Sequence, residues 1–213
     1  MLYSSIAALR ASVTVTTIRR YRLALLWAIY FGVLFGSRHF IELKMVRHMV
    51  WQFPALMIGG FRLGKYLPAC WRLNFERYDQ LGLSGMVLFM ATTSIWMIPL
   101  VIDLAVQIPF IDAIKFISLW LTGLVLSQSW QRAGDAVQAF FLISWAMMVV
   151  TIGMLYQETD IRLCSSYLTN EQADTGTGLI IIASMLVVIW FFRLFHRLHQ
   201  QERSAVVAKE GRG

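Results

Sequence analysis

The chain has 213 residues, of which 58% are hydrophobic and 15% charged, and its mean hydropathy is +0.61. Soluble domains carry about 25% charged residues, so composition excludes that class and indicates an all-α, polytopic integral membrane protein. The net charge of +7 does not signal nucleic acid, because the basic residues flank apolar stretches and form no separate polar domain.

Residues 1–20 read as an N-terminal cytoplasmic segment. Arg10 and many Ser and Thr residues interrupt its apolar character, so it does not resemble a cleavable secretory signal. It reads either as a short amphipathic surface helix or as a disordered segment. Residues 21–197 follow as a transmembrane domain of about six helices, each near the ~20 residues needed to cross a bilayer. The predicted spans are 21–37, 40–60, 81–102, 111–130, 136–156 and 176–195, and residues 198–213 form a C-terminal cytoplasmic tail. Cys70 and Cys164 supply neither a disulfide framework nor a CxxC metal motif.

Charge sets the predicted orientation. Arg10, Arg19, Arg20 and Arg22 precede the first span, and Arg62, Lys65, Arg72 and Arg77 follow the second. Arg132 follows the fourth, while Arg193, Arg197, Arg203, Lys209 and Arg212 close the chain. These are 14 of the 19 basic residues, and they fall on alternate connections. By the positive-inside rule that side is cytoplasmic, which puts both termini inside a multi-pass protein; the membrane expected is a bacterial inner (plasma) membrane, whose outer face is periplasmic. The 157–175 connection lies outside, with Glu158, Asp160, Glu171 and Asp174 against Arg162. It is expected to form a short surface helix or hairpin, folded over the outer ends of spans two and three, with Asp160 or Glu158 near Arg38, Lys44 or Arg47.

Span two carries the strongest chemical signal. Lys44, Arg47 and His48 interrupt an otherwise apolar stretch, and ionisable groups at membrane depth are functional candidates. Met45, His48, Met49 and Gln52 are spaced i, i+3, i+4 and i+7, so they share one helix face. Thioether and imidazole together suit copper. Lys44, Arg47 and Trp51 share a neighbouring face, and Pro54 is expected to bend the helix below the cluster. The topology adds His39, Met97, Asp103, Tyr156 and Cys164 at the same outer level. Arg47 needs a partner there, and Asp103 and Asp112 flank the turn between spans three and four; Asp112 alternatively pairs with Lys115 at i, i+3.

The run MVRHM over 45–49, followed by Pro54, Ala55, Leu56 and Gly59, resembles the HMxxHM…PxLLxxG segment of the CtaG-like assembly factors of cytochrome c oxidase. His48 matches the second histidine of that pattern, Met49 the adjacent methionine, Pro54 the proline and Gly59 the glycine. Lys44 stands where the pattern has its first histidine. The resemblance implies a polytopic membrane protein engaged in maturation of the haem–copper oxidase.

The expectation is therefore a non-enzymatic assembly or copper-handling factor working at the outer leaflet. Its partners are the lipid bilayer and an oxidase or other membrane complex, and its metal ligands are His48, Met45 and Met49, with His39 and Met97 nearby. No Ser-His-Asp set, HExxH, phosphate-binding loop or dinucleotide fingerprint is present. No haem is expected, because His39 and His48 lie outward while His196 and His199 lie inward. His196 and His199 read as an interfacial snorkelling turn. The alternatives are a structural or electron-transfer subunit of a membrane complex, or a small transporter.

Overall fold

A computed structural model describes residues 25–67, 69–159, 164 and 167–210, among which every regular element is helical. By internal contacts the chain divides into two units, Met1–Ile41 and Glu42–Gly213. In the first, α1 (Leu25–Gly36) is a short apolar helix whose Trp27, Tyr30 and Phe31 rings pack on one another. The Ser37 hydroxyl donates to the Val33 carbonyl at 2.6 Å, closing its last turn. His39 lies in the next helix, α2 (Arg38–Glu42).

The second unit begins with a change of helix type. Residues Arg47–Gln52 form a π-helical segment, followed without a break by α3 (Phe53–Gly64). The stretch predicted as one span over 40–60, bent at Pro54, is instead interrupted before the proline, by a turn at Leu43 and Lys44 and then the π segment. Pro54 sits in the first turn of α3, where a missing N–H costs little, and the wider π turn relieves the clash its ring would make with the preceding turn.

After α4 (Ala69–Tyr78) comes α5 (Leu83–Trp96), entered through Gly82 at φ 69°. Only glycine adopts that conformation without strain, and a Cβ there would also strike the Ser129 carbonyl. The span predicted over 81–102 is broken: α5 stops at Trp96, and α6 (Pro99–Gln107) leaves at 74° to it. Pro99 explains the break, since a residue preceding proline is pushed out of the helical region, and Ile98 is extended (φ −73°, ψ 123°). The same cause ends α6, where Ile108 before Pro109 is extended.

Three long helices complete the unit: α7 (Pro109–Arg132), α8 (Asp135–Glu158) and α9 (Thr169–Glu210). These three are long and apolar enough to cross a membrane, and α5 with α6 makes a fourth if the bent pair is one crossing. The part of the outer connection expected to be a helix or hairpin is helical from Thr169 onward. At the other end α9 runs on to Glu210, through a stretch of good helix formers without Gly or Pro.

Helix α7 is the hub, with α3, α5 and α6 packed on it, while α8 pairs with α9. Close approach depends on glycine. A Cβ on Gly60 would collide with the Trp120 carbonyl, and one on Gly123 with the Met57 carbonyl, so α3 and α7 meet backbone to backbone. Gly153 and Gly176 do the same for α8 and α9. Contacts such as Met57 with Gly123 and Gly64 with Ser127 make α3 and α7 parallel, whereas Thr92 with Thr122 and Trp96 with Ser118 make α5 antiparallel to α7. Gln138 with Trp190 and Gly153 with Gly176 make α8 and α9 antiparallel, and Phe89 with Trp145 and Ser94 with Met148 align α5 with α8. Directions therefore alternate along the chain. The C-terminal ends of α3, α7 and α9, with Arg62, Arg132 and Arg197, share one end of the bundle, and residues 42–48, the start of α7 and the start of α9 share the other.

Candidate functional site

At that other end the polar face of the π segment is turned inward. Met45, His48, Met49 and Gln52 are all buried, as their spacing predicts, while Lys44 and Trp51 are exposed. The wider π turn delivers the His48 ring between α7 and the approach to α9. Both of its nitrogens are engaged: Nδ1 is 2.9 Å from the Tyr167 hydroxyl and Nε2 is 2.9 Å from Lys115 Nζ. The Phe53 ring meets the imidazole edge-on at 5.4 Å.

Lys115 is wholly buried, which is tolerable for an ammonium only when every donor has a partner. Besides His48 it contacts Glu42 Oε1 at 2.9 Å and Asp112 Oδ1 at 2.6 Å. The Tyr167 hydroxyl in turn lies 2.9 Å from the Glu42 backbone carbonyl. Donor and acceptor roles follow from these contacts, since an ammonium only donates and a carbonyl only accepts. Lys115 donates to Nε2, so the His48 proton sits on Nδ1 and is donated to the Tyr167 oxygen; Tyr167 donates onward to the Glu42 carbonyl. Burial, and then the Glu42 charge, push the Tyr167 phenol above its ordinary pKa, so it keeps the proton it donates.

A second layer lies beside this chain. Cys164 is buried, its sulfur 3.9 Å from the Pro99 carbonyl and its N–H directed at Gln172 Oε1 at 3.3 Å. Burial first, and the Asp103 charge second, push the Cys164 thiol up to about 12, so it is a neutral, unreactive thiol at physiological pH. Tyr156 donates to the Met97 carbonyl at 3.3 Å, joining the end of α8 to the α5–α6 break. Met45, Met49, Met97, Tyr156, Cys164 and Tyr167 belong to one apolar cluster.

Met45, Met49, Met97, Tyr156 and Cys164 lie in one apolar core at this end, and His48 is buried there too. Asp112 pairs with Lys115, the alternative its spacing offered, and Asp103 is buried in α6. His39 belongs to the first unit, and Arg47 is half-buried at the start of the π segment. Asp160, one of the two acids expected in the lid contact, and Arg162 lie outside the described residues, while Glu158, the other acid, is exposed at the end of α8. Glu42 and Tyr167 join the site although no motif marks them, and Lys115, which spacing pairs only with Asp112, lies at its centre. The signal for Lys115 was present: an ionisable residue inside the apolar stretch IDAIKFISLW is by itself a functional candidate.

The chain matches no family model, no curated protein and no solved structure.

Proposed function

We propose that this is a non-enzymatic assembly or scaffolding factor of a bacterial inner membrane, with about six spans and cytoplasmic termini, in which a lysine of the chain itself occupies the place of a bound cation. The observation that carries this reading is Lys115 Nζ, held within 2.6–2.9 Å by His48, Glu42 and Asp112. An imidazole and two carboxylates surround the Lys115 ammonium, so the positive charge at their centre is covalently attached. The resemblance of the 45–59 stretch to oxidase assembly factors supports the biological setting, because the matched His48 is the residue at the centre of the network.

The donors present do not fit copper in this arrangement. Neither His48 nitrogen has a lone pair to spare, and a second cation beside Nε2 would meet the Lys115 charge. Among the described residues no group of three His, Cys, Asp or Glu side chains is arranged to hold a metal. The thioethers of Met45 and Met49 lie in the apolar cluster, where packing accounts for them.

Complementation tests the proposal. Deleting the gene should lower the amount of mature haem–copper oxidase seen in reduced-minus-oxidised spectra of membranes. The wild-type gene should restore it, and Lys115→Met, inserted at the same level, should not. Unaltered oxidase in the deletion strain overturns the assembly reading, and full rescue by Lys115→Met overturns the role of the ammonium. Copper(I) retained by the purified protein and lost in His48→Ala would return a metal to the site.

A second reading, a proton-coupled transporter, is favoured by the bent α5–α6 pair and the π segment, because interrupted helices beside buried ionisable groups are a feature of transport sites. Proton uptake into vesicles containing the protein, lost in His48→Phe, would select this reading.

A further inference from the structure

We propose that the groove where α7, α8 and α9 meet, at the end opposite the His48 network, binds an anionic phospholipid. The groove has a volume of about 460 Å³, within the size range of small-ligand sites. Its apolar length is formed by Leu142, Leu186, Ile189 and Phe192, and its mouth by Arg193, His196 and Arg197. That is the division a phospholipid presents, with an acyl chain against aliphatic and aromatic side chains and a phosphate against cations.

The floor makes the site specific for what lies at its mouth. Gln138 donates to the Trp130 and Ala133 carbonyls, both at 3.0 Å, and its Oε1 accepts the Trp190 indole N–H at 3.1 Å. These polar groups satisfy one another, so the floor offers a ligand an apolar surface with no competing donors. Arg197 is fixed by Asp135 at 3.0 Å, a half-exposed pair that positions its guanidinium. Arg193 and His196 are exposed and make no ion pair among the described residues, and the His196 ring rests edge-on against Phe192 at 5.1 Å. The mouth thus keeps positive charge after its internal pairing is counted, directly beside helices apolar enough to cross a bilayer. A phosphodiester supplies the complementary charge, and its acyl chain reaches the groove from the surrounding lipid.

Native mass spectrometry of the full-length protein, after exchange into detergent with phosphatidylglycerol or phosphatidylcholine, tests this. Phosphatidylglycerol should be retained in preference to phosphatidylcholine. Arg193→Gln should weaken its retention about fivefold, the effect of one basic residue at a lipid surface. Leu186→Trp, which fills the half-exposed apolar part without touching the charges, should weaken retention of the same lipid. Thermal unfolding of both variants is followed alongside to establish that they remain folded. Equal retention of the two lipids, retention unaffected by Arg193→Gln, or displacement of the lipid by inorganic phosphate would each overturn the assignment.

Discussion

Nε2 of His48 lies 2.9 Å from Nζ of Lys115, a residue 67 positions further along the chain, and both side chains are fully buried. The contact joins the π segment to α7 and makes the charge of Lys115 the point on which three other side chains converge. Removing that charge leaves Glu42 and Asp112 facing one another without a cation. Lys115→Met is therefore expected to destabilise the protein by about 3–5 kcal/mol, the usual cost of breaking a buried ion pair from one side. Lys115→Met combined with Asp112→Leu should recover part of the loss, since apolar replacement of both partners is far less costly. Thermal unfolding in detergent measures both, and a single variant as stable as wild type would remove the ammonium from its structural role.

Gln52 behaves differently from His48 although the two share a buried face. Neither atom of its amide has a hydrogen-bond partner among the described residues. An unpartnered buried amide costs about 1–3 kcal/mol, so Gln52→Met is expected to raise stability by about 1 kcal/mol. A fall in the unfolding midpoint instead would show that the amide is engaged.

Gly123 sets the distance between α3 and α7. Its missing Cβ leaves room for the backbone of Met57, and the Gly60 gap does the same for Trp120 in the opposite direction. Backbone cannot move aside as a flexible side chain does, so Gly123→Ala should cost at least about 1–3 kcal/mol. Gly134→Ala, where a Cβ would meet nothing within 4 Å, serves as the control and should change stability little. Equal midpoints for the two variants would contradict the backbone contact.

Asp79 gives the structure a pH dependence at the basic end. Burial opposes ionisation of its carboxyl, but hydrogen bonds from Ser129 and Ser84, together with the nearby Arg132 charge, outweigh it and hold the pKa below the ordinary value. A depressed carboxylate contributes stability that is complete above its unfolded pKa, about 3.9, and is lost as pH falls through the lower folded value. Wild type should lose unfolding midpoint faster than Asp79→Asn below about pH 4. Parallel pH profiles for the two proteins would exclude the effect.

Much of this was legible locally. The spacing of Met45, His48, Met49 and Gln52 fixed which face of that stretch is buried, because apolar periodicity acts within a few turns of the chain. The apolar runs marked α7, α8 and α9 for the same reason, and Asp112 and Lys115 were paired by their i, i+3 spacing. The length of the 81–102 run alone suggests one crossing, whereas Pro99 inside it ends one helix and starts another at 74°.

Composition, apolar run lengths and charge placement thus determined by themselves an all-helical protein with helices fit to cross a membrane. Only the tertiary structure decided that the His48 nitrogens are taken by Tyr167 and Lys115, residues 119 and 67 positions away. Ligand preference can be read from residue type, but whether a lone pair is free depends on what other helices bring to it. Here an ammonium from α7 and a phenol from just before α9 reach the ring first. The physical reason is burial: once Lys115 is enclosed it must find acceptors, and to Asp112, one turn back on α7, the tertiary packing adds Glu42 of α2 and His48 of the π segment.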